Sequence, residues 1–440
     1  MKRPDSNSLR VAQLGVIWLL LLVGMYVALT FRPSSVAYID YVDGYYLYVA
    51  HRMAAGVALY SGIMGVQPPG IFVVGDLVFR SWDSLTAVRT FGIIVHILTL
   101  ILVYLTARRL YGIGARVVAA TAFYAFAPYG LYWSRIFDPN PLVTLLSLLS
   151  VYVLLRNSRS APVLAGIVGA LALGTKIWYV PVGIAIVLFL YRHRREALLP
   201  FLIALLATLA VVCFAGVLTV GSSFWGGLVA QDVSGFSNAW FEASVVHVLV
   251  DDWPLVILAL FGARTVSRWP GVESRLVLYY AISACTVLLA TIKSGTAWPV
   301  FQFAEPALAL LAPAALFPLA AKTARERDVS LSATTSSVSS RRLFSVAAII
   351  LVALSGISSV RSGQTWDDAS VRNVVALIEA HSAANQTVLA PPYYLYLSGR
   401  RAVGEYADIN IWALRADRGD ARALQLVNAT VQALRAKTIP

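Results

Sequence analysis

Long apolar runs separated by short, arginine-bearing breaks occupy most of the chain. Several runs approach 20 residues, about the length a helix needs to cross the hydrocarbon core of a bilayer. In lipid only helices and closed barrels satisfy every backbone group, and runs this continuous lack the alternation of barrel strands. The pattern predicts spanning helices at 11–30, 85–107, 113–132, 140–155, 161–175, 177–191, 197–220, 253–266, 275–293, 298–321 and 343–360. The apolar stretch Ile71–Phe79 follows Pro68-Pro69-Gly70, contains Asp76 and is too short to span, so it is expected to lie along the outer interface. The expected fold class is thus an all-α polytopic membrane protein of about eleven transmembrane helices. Its spanning module covers 1–321, with a long first extracytoplasmic loop at 32–84, a Ser/Thr-rich cytoplasmic loop at 322–342 and a last spanning helix at 343–360. The polar segment 361–440 is expected outside. It reads as a small α/β tail, with helix at 370–381, strand at Thr387–Ala390 and helix at 417–435.

Composition sharpens this picture. The 440 residues are 59% hydrophobic and only 13% charged, against about 25% charged in a soluble domain. That excludes a simple soluble enzyme, a disordered chain and a coiled coil. The net charge of +13 would suggest nucleic acid in a soluble protein. Here the basic residues lie mostly in short loops, where they set topology instead. With Lys2, Arg3 and Arg10 in the cytoplasm, the inner segments hold Arg108, Arg109 and Arg116, then Arg192, Arg194 and Arg195, then Arg264, Arg268 and Arg275, among others. Outer loops and helix ends hold only Arg32, Arg52, Arg80, Arg89, Arg135, Lys176 and Lys293, the C-terminal tail aside. The expected placement is therefore a plasma or inner membrane, with the N-terminus cytoplasmic and the C-terminus extracytoplasmic. The first run lacks a small-residue cleavage site and reads as a retained anchor. Cys213 and Cys285 sit in apolar runs, and the five histidines show no metal spacing.

Ionisable groups at membrane depth are costly, and those retained tend to mark function. The acidic residues gather on the outer side, among them Asp40, Asp43, Asp76, Asp138, Asp251 and Asp252, with Glu305 in the outer half of a helix. Lys176 and Lys293 lie at outer helix ends, where the charge rule would not put them. Each has a plain structural reading as well. Asp43 before Gly44 fits a helix cap, Lys176 fits a snorkelling end, and Arg135 with Asp138 fits a structural ion pair.

The first outer loop reads Asp40-Tyr-Val-Asp43-Gly-Tyr45-Tyr46-Leu-Tyr-Val-Ala50, then Gly56-Val-Ala-Leu-Tyr60, then Gln67-Pro68-Pro69-Gly70. Downstream come Tyr132-Trp-Ser-Arg135-Ile-Phe-Asp138-Pro139, Gly174-Thr175-Lys176, and an aromatic segment from Trp298 to Pro306. In order and membrane side, these motifs resemble the type-C glycosyltransferase superfamily, in its protein O-mannosyltransferase and lipid A aminoarabinose transferase branch. The likeness runs over roughly residues 10–320. Many members carry adjacent Asp-Glu at the start of the loop. Here Val42 precedes Asp43 and the other carboxylate is Asp40, which leaves the choice between them open.

The resemblance implies an enzyme that takes a sugar from a polyprenyl-phosphate carrier and transfers it, with inversion, to an extracytoplasmic lipid, glycan or protein acceptor. It implies Asp43, helped by Asp40, as base, and Lys176, with Arg135, as holder of the carrier phosphate. Asp138, Tyr45, Tyr46, Tyr60 and Glu305 would contact substrate. No cofactor and no nucleic acid are required, and the paired outer carboxylates leave room for a divalent metal. Rival readings are a transporter or lipid flippase, and a polysaccharide polymerase or ligase.

Overall fold

The computed structural model describes residues 6–31, 35–36, 41–63, 65, 67–229, 236–292, 298–317, 346–358, 367–384, 386–403 and 421–435. Asp40, Lys293 and the expected loop 322–342 lie outside the described residues. The chain is mostly helical: α1 (Ser6–Thr30), α2 (Tyr41–Ala54), α3 (Gly70–Ser81), α4 (Leu85–Tyr111), α5 (Ala115–Ala125), α6 (Pro128–Trp133) and α7 (Pro139–Leu155). There follow α8 (Ala161–Thr175), α9 (Tyr179–His193), α10 (Arg195–Val220), α11 (Ser223–Val229), α12 (Asn238–Asp251), α13 (Trp253–Val266) and α14 (Val272–Cys285). After two 3-10 segments, Thr286–Ile292 and Trp298–Phe303, come α15 (Glu305–Leu311) and α16 (Pro313–Leu316). The remainder comprises α17 (Val346–Ser358), α18 (Asp368–His381), β1 (Thr387–Val388), α19 (Pro392–Ser398), β2 (Arg401–Ala402) and α20 (Ala421–Arg435).

Each expected span is helical over at least part of its length. Gln13–Thr30, α4, α10 and Val272–Ile292 are long and apolar enough to cross a membrane. A further pair, α12 and α13, meets the same test together but bends by 84°. The other apolar helices are shorter, so a count of eleven crossings is not a property of the described helices. Proline explains two of the shortfalls. The expected helix 113–132 breaks at Ala127, which is extended (φ −61°, ψ 128°) because Pro128 follows it. The expected helix 298–321 opens as a 3-10 turn and is interrupted again ahead of Pro313. The helix α12 has no counterpart in the sequence reading.

Buried apolar residues form two clusters among the described residues. The larger fills the bundle, with Phe123, Val151, Phe189, Phe201 and Leu310 fully buried. The second lies around α2 and α3 and includes Leu47, Tyr48, Ile71, Phe72 and Phe137. Val371, Val388, Tyr393, Leu395 and Ala402 of the C-terminal segment belong to that same cluster. The two short strands pair in parallel, Thr387 opposite Arg401 and Val388 opposite Ala402, and α19 between them was not expected from sequence.

Candidate active site

Three segments far apart in sequence meet around the turn that opens α7. The turn is built locally: Pro139 takes the first helical position, where its missing N–H costs nothing, and Asp138 caps the helix by accepting from the Asn140 N–H at 2.7 Å. One residue earlier, the Phe137 N–H donates to Asp43 Oδ1 at 2.8 Å. The loop before α7 thus touches the first turn of α2 directly. On the other side of the same turn, Lys176 Nζ donates to Asn140 Oδ1 at 2.8 Å. Lys176 stands at the carboxyl end of α8 and lies 5.3 Å over the Trp178 ring.

Asp43, Asp138 and Lys176 are all buried, at 0%, 5% and 7% exposure. Burial disfavours the charged form of each. It pushes the Asp43 carboxyl up, against the opposing pull of the Arg89 guanidinium. It pushes Asp138 up too, against the pull of Lys176, with the Asp43 charge adding to the rise. It pushes the Lys176 ammonium down, which Asp138 partly offsets. Asp138 therefore feels the charge of both other groups. Two carboxyls pushed up and an ammonium pushed down around one turn form the kind of perturbed set that marks a candidate functional site.

The second oxygen of Asp43 belongs to a residue that sequence reasoning used only to count charges. Arg89 Nη2 donates to Asp43 Oδ2 at 2.9 Å and to the Tyr393 hydroxyl at 3.2 Å, while Nη1 donates to the Ser35 carbonyl at 3.1 Å. The signal was available: Arg89 is a cation at a helix end that the charge pattern places outside, the same anomaly that singled out Lys176. Asn140 and Tyr393 carried no such signal.

The remaining expected residues are distributed as follows. Tyr46 is buried near enough to Asp138 for that charge to act on its hydroxyl. Tyr45 and Tyr46 pack on Phe72 with ring centroids 6.0 Å and 5.6 Å away, so both rings are core between α2 and α3 rather than an open sugar platform. Tyr60 is buried as well, donating to the Gln67 carbonyl at 2.6 Å and meeting Phe224 edge-on. The Arg135 guanidinium lies 5.0 Å over the Tyr132 ring, and its Nε donates to the Tyr132 carbonyl at 3.3 Å. Glu305 is fully buried, and its two oxygens accept from the Tyr129 and Gly130 N–H groups, each at 2.8 Å. It caps the amino end of α6, within a group of contacts that includes the bond from Tyr129 OH to Asp251 at 3.1 Å. That is a structural employment. Among the described residues, no three His, Cys, Asp or Glu side chains converge as a metal site.

Residues 67–219, about a third of the chain, match the family described as dolichyl-phosphate-mannose-protein mannosyltransferase. The chain shares its fold with ArnT from Cupriavidus metallidurans bound to undecaprenyl phosphate, at 13% identity and a TM-score of 0.63, over 88% of this chain and 85% of that one. It is also similar to the oligosaccharyltransferase of Archaeoglobus fulgidus in its apo form, at 12% identity and a TM-score of 0.60, over 88% of this chain and 64% of that one. The same archaeal enzyme, AglB, in complex with an inhibitory peptide and a dolichol-phosphate gives 12% identity, a TM-score of 0.59 and the same coverage. No curated protein matches the sequence. The likeness to the type-C glycosyltransferase superfamily that the motifs carried is thus present in the family match and in the fold. The chain is largely helical, like the proteins whose fold it shares.

Proposed function

We propose that this protein is a membrane glycosyltransferase that moves a sugar from a polyprenyl-phosphate carrier to an extracytoplasmic acceptor, with inversion at the anomeric carbon. The observation that carries the reading is the meeting of Asp43, Asp138 and Lys176 from three separate elements at one turn. Asp43 accepts the proton of the acceptor hydroxyl as its oxygen attacks. The bond from the anomeric carbon to the carrier's phosphate oxygen breaks, and the lipid phosphate leaves with added negative charge. Lys176, a compact cation in a buried setting, holds that charge. Asn140 holds Lys176 by a hydrogen bond, and the charge of Asp138 offsets part of the burial that lowers its proton affinity.

The lipid carriers bound by the fold relatives, undecaprenyl phosphate and dolichol-phosphate, support a carrier of the same chemistry here. The chain spans 64% of the oligosaccharyltransferase, so peptide acceptance is not carried over. The reading routes no step through a metal. Asp43→Asn in membranes supplied with labelled carrier-linked sugars tests it. The expected outcome is loss of transfer by at least about a hundredfold, the scale of a general base. Full transfer by the variant removes Asp43 from the mechanism.

A further inference from the structure

The C-terminal segment does more than cover the outer loop. Tyr393, in the first turn of α19, places its hydroxyl against the Asp43–Arg89 pair. It accepts from Arg89 Nη2 at 3.2 Å and donates to the Val36 carbonyl at 2.7 Å. The Arg89 guanidinium lies 5.8 Å over the ring of the same tyrosine. Arg89 thereby donates to three groups, Asp43, the Ser35 carbonyl and Tyr393, which together orient its plane. A planar guanidinium transmits such orientation to its carboxylate, because its donors form a rigid fork.

The rest of the segment fastens Tyr393 at that spot. Gly44, next to Asp43, carries no Cβ, and one built there would lie 2.6 Å from Tyr393 N and Cβ. The close approach of α19 to α2 is thus possible only at a glycine. The Ala402 N–H donates to the Tyr48 hydroxyl at 2.6 Å, one α2 turn beyond Gly44. Ser35 Oγ donates to Asp368 Oδ1 at 3.0 Å, tying the start of the outer loop to α18. Tyr393, Val371, Val388 and Leu395 share one apolar cluster with α2.

We infer that Tyr393 is a positioning residue for Asp43, acting through Arg89, and that the segment 367–403 is an integral part of the active site. The inference rests on the proposed role of Asp43 as base. The groups facing the Asp43 carboxylate are Arg89 from α4, Asp138 from the turn before α7, and Tyr393 and Tyr396 from α19. Of these only Arg89 lowers the proton affinity of Asp43. Loosening Arg89 therefore raises it, and the acid limb of the pH–rate profile moves toward higher pH.

The test is Tyr393→Phe in the full-length protein, beside Asp43→Asn, with carrier-linked sugar as the probe. The ring and its packing are kept, and only the hydroxyl is lost. The expected result is a kcat reduced about 3- to 10-fold, the scale of one hydrogen bond. KM for the lipid donor stays unchanged, the acid limb shifts upward, and the unfolding temperature stays near that of the parent. An unchanged kcat and profile in Tyr393→Phe, with Asp43→Asn inactive, overturns this inference and leaves the proposed function standing. A fall in activity matched by an equal fall in folded protein overturns it too, since a scaffold role then accounts for everything. Transfer retained by Asp43→Asn strikes the proposed function itself.

Discussion

Replacing Arg89 by methionine isolates the ion pair at the heart of the site. The exchange keeps a flexible chain of similar reach and deletes the charge. In the parent, the Asp43 side chain is 1% exposed and Arg89 11% exposed, with 2.9 Å between Nη2 and Oδ2. After the exchange, Asp43 keeps one donor, the Phe137 N–H. Removing one partner of a buried pair costs about 3–5 kcal/mol. A second route to the magnitude agrees. The molecule's cheapest escape is to protonate Asp43, and taking a carboxyl from an ordinary pKa near 3.9 to its neutral form at pH 7 costs about 4 kcal/mol. The second route also predicts a signature. The escape becomes cheaper by about 1.4 kcal/mol per pH unit on acidification. The sign follows from linkage: a carboxyl raised in the folded state favours folding at low pH and opposes it as pH rises through the raised value. Thermal unfolding of the purified protein at pH 7 and pH 5 reads this out. The variant should unfold several degrees below the parent at pH 7, and the gap should close by more than half at pH 5. A gap of equal size at both pH values refutes a buried charge as the cause.

Two further outcomes are expected. Lys176→Met should weaken affinity for the carrier lipid by about 10- to 100-fold, the scale of one charge-assisted hydrogen bond to phosphate, with the fold intact by circular dichroism; unchanged affinity in a lipid-binding assay returns Lys176 to a purely structural role. Gly44→Ala drives a methyl group to 2.6 Å from Tyr393 and should cost about 1–3 kcal/mol of stability through overpacking, seen as a lower unfolding temperature and easier proteolysis of the C-terminal segment; a parent-like temperature and digestion pattern contradict the close approach of α19.

Hydrophobic length alone marked out the long apolar helices Gln13–Thr30, α4, α10 and Val272–Ile292, because a run of about twenty apolar residues is a one-dimensional trace that needs no knowledge of neighbours. The choice of Asp43, Asp138 and Lys176 as candidates was legible for a similar reason: charge at a helix end is a local property of the chain. The helix breaks were partly legible too, since Pro128 and Pro313 act on their own backbone.

What no local signal contained was who would meet whom. Asp43 and Arg89 are separated by 46 positions, and Arg89 and Tyr393 by 304. Nothing in the neighbourhood of Tyr393 distinguishes it from Tyr394, yet one turns its hydroxyl to the ion pair because α19 docks on Gly44. Glu305 had the composition of a site residue and became a cap for α6, because two backbone N–H groups with no helical partner lay within its reach. Sequence by itself determined which segments would be apolar helices and which ionisable groups would stand at their ends. Tertiary packing decided which of those groups became neighbours, since electrostatic and hydrogen-bond energies depend on separation in space and not along the chain.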